Sequence, residues 1–378
     1  MYRKTYVEID GNVLENNIKE IKEKYNEYKY YIGVIKGNCY GHGVDSIKYL
    51  VKGGINYLAT SSLEEALKAR EIDAKTPILV LEPIHVDDIA VASENNITVA
   101  IDNVDIFNEI KKKKIKVKFH LKIDSGMNRF GLKDKNEVKY IYDNADKNVV
   151  LEGIFTHLAC GFGETFNTQK KSFEELTSLI DLSTIPIVHI DRSLTLEQHE
   201  KFPYANATRL GIAMYGFNKQ TPVLSWKRKL YNKLLGKKNI VNPSILNLNT
   251  TFKFYTEVIE VKKVKKGEVV GYKGMYDTTR DTIIATMPVG FADYSHINKS
   301  YVVINEKRYP IVVIGMDTIT VIADETVKLY DKVEVFGDKI SIRSASRSAG
   351  KNVYQTLTSV TNRVPRIYKY NNKIEKEK

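Results

Sequence analysis

A chain of 378 residues is too long for one ordinary core and fits two domains, a barrel of about 250 residues plus a smaller module. The hydrophobic fraction of 43% is that of a soluble globular protein, and no apolar run approaches the ~18–20 residues needed to span a bilayer. The net charge of +12 raises nucleic acid as a partner, but the lysines are spread over amphipathic segments that also carry Glu or Asp, and no aromatic-interleaved basic stripe occurs.

Met1 to Asp10 carries charge and no signal-peptide apolar block, so the expected location is cytoplasmic, either as a whole protein or as the soluble portion of a longer one. The two cysteines, Cys39 and Cys160, are too few for a disulfide framework and lack a zinc-like spacing. Both read as small fillers, and no metal is expected.

In chain order, eight short apolar, β-branched runs alternate with helical periodicity: Tyr31–Ile35, Tyr57–Thr60, Pro77–Leu81, Thr98–Ile101, Val117–Ile123, Leu151–His157, Pro186–Ile190 and Leu210–Tyr215. Asn12–Tyr25, Leu63–Glu71 and Lys170–Leu182 have apolar residues at helical spacing, and Lys111–Lys114 reads as the solvated end of a helix. The alternation predicts a (β/α)8 TIM-like barrel, with a doubly wound open sheet as the alternative. After about residue 240 the pattern changes. Thr251–Val264, Thr282–Pro288, Tyr301–Ile304, Tyr309–Ile314, Thr318–Ile322 and Lys332–Phe336 read as strands, with a hairpin tip at Asn305–Arg308. The division expected is a barrel over residues 1–240, whose first few residues join the second unit, followed by a C-terminal mainly-β domain over residues 241–378. The boundary falls in Asn239–Asn249, and the tail after Tyr370 should fray.

A barrel carries its chemistry at the C-terminal ends of its strands. Lys36 ends the first run, and a lysine there either snorkels out or acts as a neutral amine, a nucleophile for a carbonyl. The glycines of Tyr40-Gly41-His42-Gly43 would allow close backbone approach to a ligand. His157 and His189 end two strands, where a histidine is ordinarily a satisfied core residue.

Val34-Ile35-Lys36-Gly37-Asn38-Cys39-Tyr40-Gly41-His42-Gly43 resembles the signature of the alanine racemase family. Four further blocks follow in the family's order: His120 to Gly131, Arg209 to Gly216, Gly267 to Tyr272, and Thr361 to Arg366. The resemblance implies pyridoxal 5'-phosphate bonded to Lys36, with Tyr40, Ser193 and the backbone amides of Gly211 and Ile212 on its phosphate. It puts Arg209 at the pyridine nitrogen and lets His157 bridge toward that arginine. It gives Arg129 the substrate carboxylate, and sets Met316 and Asn362 beside the substrate, with Asn362 also near the phosphate. Lys122 corresponds to a lysine carbamylated in some members, with an ordinary ion pair as the alternative.

The chemistry implied is two-base racemisation, in which Lys36 and Tyr272 exchange the Cα proton on opposite faces. Tyr272 would act in trans within a head-to-tail homodimer. The substrate implied is alanine, supplying a D-amino acid for the cell wall. Departures from the pattern fall near the substrate entrance. Phe162 and Val313 replace a paired Asp and Arg, Phe291 replaces a tyrosine, and Asn362 stands where alanine-specific members have a tyrosine. Serine, or a broader range, is therefore the alternative substrate. Arg192 stands where Asn is usual. A non-catalytic barrel carrying the same cofactor is the alternative of another class, against which Tyr272 and the β-module argue. An amino-acid decarboxylase of similar architecture is disfavoured by Tyr40-Gly41-His42-Gly43.

Overall fold

The computed structural model describes residues 2–218 and 244–377. Contacts divide the chain into two units. One takes in Leu14–Lys36 and Ile47–Thr250, the other Met1–Val13, Gly37–Ser46 and Thr251–Lys378. The division expected at residues 240/241 lies outside the described residues, and residues 244–250 go with the first unit. The grouping of Gly37–Ser46 with the second unit has no counterpart in the sequence pattern.

Strand β1 (Tyr6–Asp10) belongs to the second unit, and the next eight strands close the barrel of the first. They are β2 (Tyr30–Val34), β3 (Tyr57–Thr60), β4 (Ile78–Val80), β5 (Ile97–Ile101), β6 (Val117–Lys122), β7 (Val149–Phe155), β8 (Ile187–Arg192) and β9 (Ala207–Leu210). All neighbours are parallel, and β2 pairs with both β3 and β9, which closes the ring and excludes the open sheet. Strands such as Tyr57–Thr60 and Ile97–Ile101 are buried at every position, which is why they read as unbroken apolar runs. Helix starts follow local capping: the Ser62 side chain accepts from the Glu65 amide and that of Asn103 from Asp105 and Ile106.

Two expectations for this unit need correcting. The eighth strand is Ala207–Leu210, while Ile212–Tyr215 is a buried turn of 3-10 helix entered at Gly211 and closed by Gly216 at φ 92. Burial on all sides makes that turn look like strand. The helix expected over Lys170–Leu182 starts earlier and runs Gly163–Leu176, burying Gln169 and Phe173, and it ends where the Thr177 hydroxyl returns to the Phe173 carbonyl.

The second unit is a ten-stranded sheet. Its strands after β1 are β10 (Phe252–Glu257), β11 (Glu260–Val264), β14 (Thr282–Met287), β15 (Tyr301–Ile304), β16 (Lys307–Ile314), β17 (Ile319–Ala323), β18 (Lys332–Phe336), β19 (Arg366–Tyr370) and β20 (Lys373–Glu377); β12 (Val269–Val270) and β13 (Tyr276–Asp277) form a small hairpin apart. The order is β11-β14-β17-β16-β15-β18-β10-β1-β19-β20. The run Thr251–Val264 is two strands because the amides of Val258 and Ile259 leave the ladder for Asp331 and Thr286. The tip between β15 and β16 turns on Asn305 and Glu306, both at positive φ, as a two-residue hairpin requires. The tail corrects another expectation. Asn371 and Asn372 also take positive φ, and β20 pairs antiparallel with β19 instead of fraying.

Candidate active site

Lys36 follows β2 directly and is half-buried. Behind it the chain makes a left-handed turn of four residues: Gly37 (φ 62), Asn38 (φ 53), Cys39 (φ 54) and Tyr40 (φ 53). Three of them carry side chains, at about 1–2 kcal/mol each for an L-residue. The compensation is visible. The Gly41 amide bonds the Gly37 carbonyl at 2.8 Å and the Gly43 amide the Asn38 carbonyl at 2.9 Å. The His42 ring faces the carbonyls of Cys39 and Tyr40 with Nδ1, which therefore carries the proton, and Nε2 accepts from the Thr251 hydroxyl at 2.8 Å. Burial pushes the pKa of His42 down to about 3, so the ring stays neutral.

The glycines of this motif do something other than expected. A Cβ on Gly41 would lie 2.2 Å from the Leu357 carbonyl oxygen, and one on Gly43 would lie 2.1 Å from the Tyr368 hydroxyl. Arg366 donates to the Gly41 carbonyl and Tyr368 to that of His42. These glycines admit the protein's own backbone and Tyr368, and the turn is locked to the second unit. Tyr40, half-buried, rests on Tyr354.

On the barrel strands the polar residues converge. Arg209, on β9, is buried and has no carboxylate paired with it among the described residues. Its NH1 bonds His189 Nδ1 at 2.7 Å and the His189 carbonyl at 2.8 Å, and its NH2 bonds the carbonyls of Thr156 and Ile190. Its Nε makes no hydrogen bond among the described residues. Burial lowers its pKa to about 9, which still leaves a cation at neutral pH. The expected bridge to this arginine is made by His189, not by His157. The His157 ring stays neutral, its pKa lowered to about 2 by burial and by Arg209, Arg192, Lys122 and Arg129.

Lys122 ends β6, buried, with Nζ on the Ile123 carbonyl at 2.8 Å and 5.2 Å from the centre of the Phe155 ring. Burial and the neighbouring Arg209 lower its pKa to about 7. The ordinary ion pair held as an alternative is absent among the described residues. Arg129 is exposed over the Phe130 ring and makes no ion pair among the described residues. Ser193, buried after β8, accepts from the Gly211 amide at 2.7 Å. Arg192 ties that segment to the chain after β7, through the carbonyls of Leu158 and Ala159.

In the second unit Tyr272 is 76% exposed, on a short turn entered at Gly271 with φ 83. Phe291, Met316 and Asn362 are exposed too and are drawn together by backbone bonds: Phe291 to Gly315, Ala292 to Met316, and Thr361 to Asp293. The buried Asp293 anchors the group, holding Arg3 at 2.8 Å and Arg363 at 3.1 Å.

Such a barrel presents cations near its strand ends, and among the described residues no carboxylate pairs with Arg209 or Arg129. Residues 9–219 match the alanine racemase N-terminal domain and residues 251–368 the alanine racemase C-terminal domain. The chain belongs to the alanine racemase family and is a racemase, an isomerase of a family that depends on pyridoxal phosphate. It is 30% identical to alanine racemase 1 of Bacillus subtilis over 99% of this chain and 95% of that one. It is 32% identical to the alanine racemase of Methanococcus maripaludis over 96% and 98%. Among solved structures, alanine racemase from Bacillus anthracis with bound L-Ala-P superposes with a TM-score of 0.86 at 31% identity, over 100% of this chain and 98% of that one. A histidine racemase from Leuconostoc mesenteroides superposes at 0.82 with 22% identity, a likeness of fold alone.

Among the described residues no helix is long and apolar enough to cross a membrane, and no group of His, Cys, Asp or Glu is placed to hold a metal.

Proposed function

We propose that this racemase interconverts L- and D-alanine with pyridoxal 5'-phosphate held by its barrel unit. The observation that carries the reading is Arg209, a buried cation whose Nε has no acceptor among the described residues. A guanidinium can only donate, so it suits a ring nitrogen that keeps its lone pair. The Lys36 amine for the carbonyl carbon, and for the phosphate the Ser193 hydroxyl, which accepts from Gly211 and keeps its own proton to donate, with the Ile212 amide, make a donor set in the barrel unit that fits this cofactor. The cofactor, when bound, supplies the electron sink that makes a Cα proton removable.

The protein does the rest. Lys36 moves the proton on one face of Cα and Tyr272 on the other. Arg129 holds the substrate carboxylate. Arg209 keeps the ring nitrogen unprotonated, which restrains the electron sink and favours simple proton return. Lys122 is a carbamylation candidate. A lysine with its pKa lowered to about 7 is substantially neutral at physiological pH, and turning it into an anion would replace its repulsion with Arg129 and Arg209 by attraction.

Tyr272 is exposed, with Val269 and Met275 exposed near it in sequence, and Phe291 and Met316 are exposed elsewhere in the same unit. We take this surface to meet the barrel of a second copy, so that Tyr272 acts in trans. Mixing Lys36→Ala with Tyr272→Phe, each inactive alone, then restores about a quarter of the parent activity. Half the dimers are hybrid, and one of their two sites is intact. No recovery, with subunit exchange verified by mass spectrometry, rejects the shared site.

Asn362 favours serine as a second substrate. Its exposed amide offers room for a hydroxymethyl group and a partner for its oxygen. One such hydrogen bond is worth about 0.5–1.5 kcal/mol, a few-fold to about tenfold in selectivity, so alanine turnover persists. A panel of L-amino acids tests the substrate. In Asn362→Tyr the serine-to-alanine ratio of kcat/KM should fall; an unchanged ratio removes Asn362 as the selectivity element.

A further inference from the structure

Arg209 is the first member of a longer chain of polar groups buried in the barrel. His189 Nδ1 lies 2.7 Å from Arg209 NH1, and His189 Nε2 lies 2.8 Å from His120 Nδ1. His120 Nε2 faces Glu152 Oε2 at 3.5 Å and has no hydrogen-bond partner among the described residues. Both imidazoles are fully buried. Glu152 Oε2 also receives the Tyr57 hydroxyl at 2.7 Å and that of Thr98 at 3.0 Å, and Oε1 receives Lys118 at 3.2 Å. Tyr57 opens β3 and Lys118 lies near the start of β6, so the carboxylate sits toward the N-terminal end of the strands, away from the strand ends that carry Lys36 and Lys122.

We propose that His189 and His120 form a one-directional hydrogen-bond relay that holds Arg209 as an oriented donor, with Glu152 as the carboxylate that the last imidazole proton faces. The direction follows from the donors. Arginine cannot accept, so His189 presents its Nδ1 lone pair and carries its proton on Nε2. That proton points at His120 Nδ1, which must also be a lone pair, and the second imidazole proton is left on Nε2, toward the carboxylate. A protonated His189 would set N–H against N–H at Arg209. Burial acts in the same sense and disfavours the charged form of both rings.

The carboxylate whose field acts on Arg209 directly is Asp191. Its oxygens are occupied by Tyr28 at 2.9 Å, His199 at 2.9 Å and Thr195 at 3.1 Å. Gly153 completes the device: a Cβ there would lie 2.7 Å from the His120 ring, so the glycine is what lets the imidazole reach across β7. These are positioning residues. They touch neither substrate nor cofactor and act through Arg209.

The proposal rests on the reading of Arg209 as the ring partner, but its first test does not. In 15N-histidine-labelled protein before cofactor is added, His189 and His120 should both read as neutral Nε2–H tautomers between about pH 6 and 8. An Nδ1–H tautomer, or titration of either ring in that range, overturns the relay whether or not the cofactor assignment stands. In the holoenzyme, Glu152→Gln should shift His120 toward mixed tautomers and move the absorption band of the bound cofactor. It should also lower kcat about tenfold with KM nearly unchanged. If Glu152→Gln lowers only the melting temperature, leaving tautomers, band and kcat as in the parent, Glu152 merely braces the barrel and the proposal fails. Should that variant not fold, the tautomers of the parent protein still decide.

Discussion

Replacing Lys36 by alanine should leave a folded protein that lacks the absorption band of lysine-bound pyridoxal phosphate and racemises at least about a thousandfold more slowly than the parent. The fold should survive because Lys36 makes no hydrogen bond or ion pair among the described residues, and its half-buried stem packs at a strand end rather than in a core. Truncating it removes a few methylenes of packing, a cost of about 1 kcal/mol. The chemical loss is of another order. The amine is the covalent attachment point and also a proton carrier at Cα, so two roles go with one side chain. Lys122→Ala is the instructive contrast. Lys122 is a buried lysine of the same barrel, but it lies beside Arg209 and Arg129, so its loss should weaken activity while colour persists. An absorption spectrum and a polarimetric assay of the two variants separate the roles. A yellow Lys36→Ala protein with normal spectrum rejects Lys36 as the attachment site.

Much of the barrel was legible because its strands are buried on both faces and announce themselves as short apolar runs. The eighth was misplaced for the same reason, since a buried 3-10 turn such as Ile212–Tyr215 has no polar face to betray its period. The C-terminal tail misled in the opposite sense. Its Lys, Asn and Glu mark an edge strand with one neighbour, and composition alone does not distinguish that from a frayed end.

Resemblance and chemistry together single out Lys36, Arg129, Arg209 and Tyr272 as site candidates. The site was illegible where geometry couples distant residues. Nothing in Gly37-Asn38-Cys39-Tyr40 signals four successive left-handed residues, because only one is glycine and the compensation comes from His42, Leu357 and Tyr368. His189 read as an ordinary core histidine, and it is buried, but its two nitrogens link Arg209 to His120. Glu152 was hidden inside the run Leu151–His157. One signal was available: largely buried barrel strands carry His120, Glu152, His189 and Arg209. Titratable groups in buried strands must find one another, since each alone is expensive to bury.

The same buried histidines make the protein acid-labile, with a magnitude that can be stated in advance. His42, His120, His157 and His189 are all held neutral by burial, with pKa values below the ordinary 6.5, about 3 for His42 and about 2 for His157. Below pH 6.5 the unfolded chain binds a proton at each and the folded chain does not, so stability is present above the unfolded pKa and is lost as pH falls through it. His42, His157 and His189, whose pKa values fall well below 6.5, contribute about 1.4 kcal/mol per pH unit each, roughly 4 kcal/mol per unit together, and His120 adds to this in the same direction. His199 adds nothing here. Its folded pKa is raised, chiefly through Asp191 against the opposing effect of burial, so below pH 6.5 both states carry its proton, and its stabilisation is lost only as pH rises through the folded value. A domain with ordinary stability of about 5–15 kcal/mol should therefore unfold roughly one to three pH units below 6.5. Urea unfolding followed by circular dichroism at about pH 7.5, about 6.5 and about 5.5, which bracket the imidazole range, measures this. The slope below pH 6.5 should correspond to an uptake of roughly three to four protons, and His42→Asn should lower it by about one. A stability flat across that range would mean that the four rings are not neutral in the fold, and the hydrogen-bond directions assigned to His42, His120 and His189 would have to be reversed.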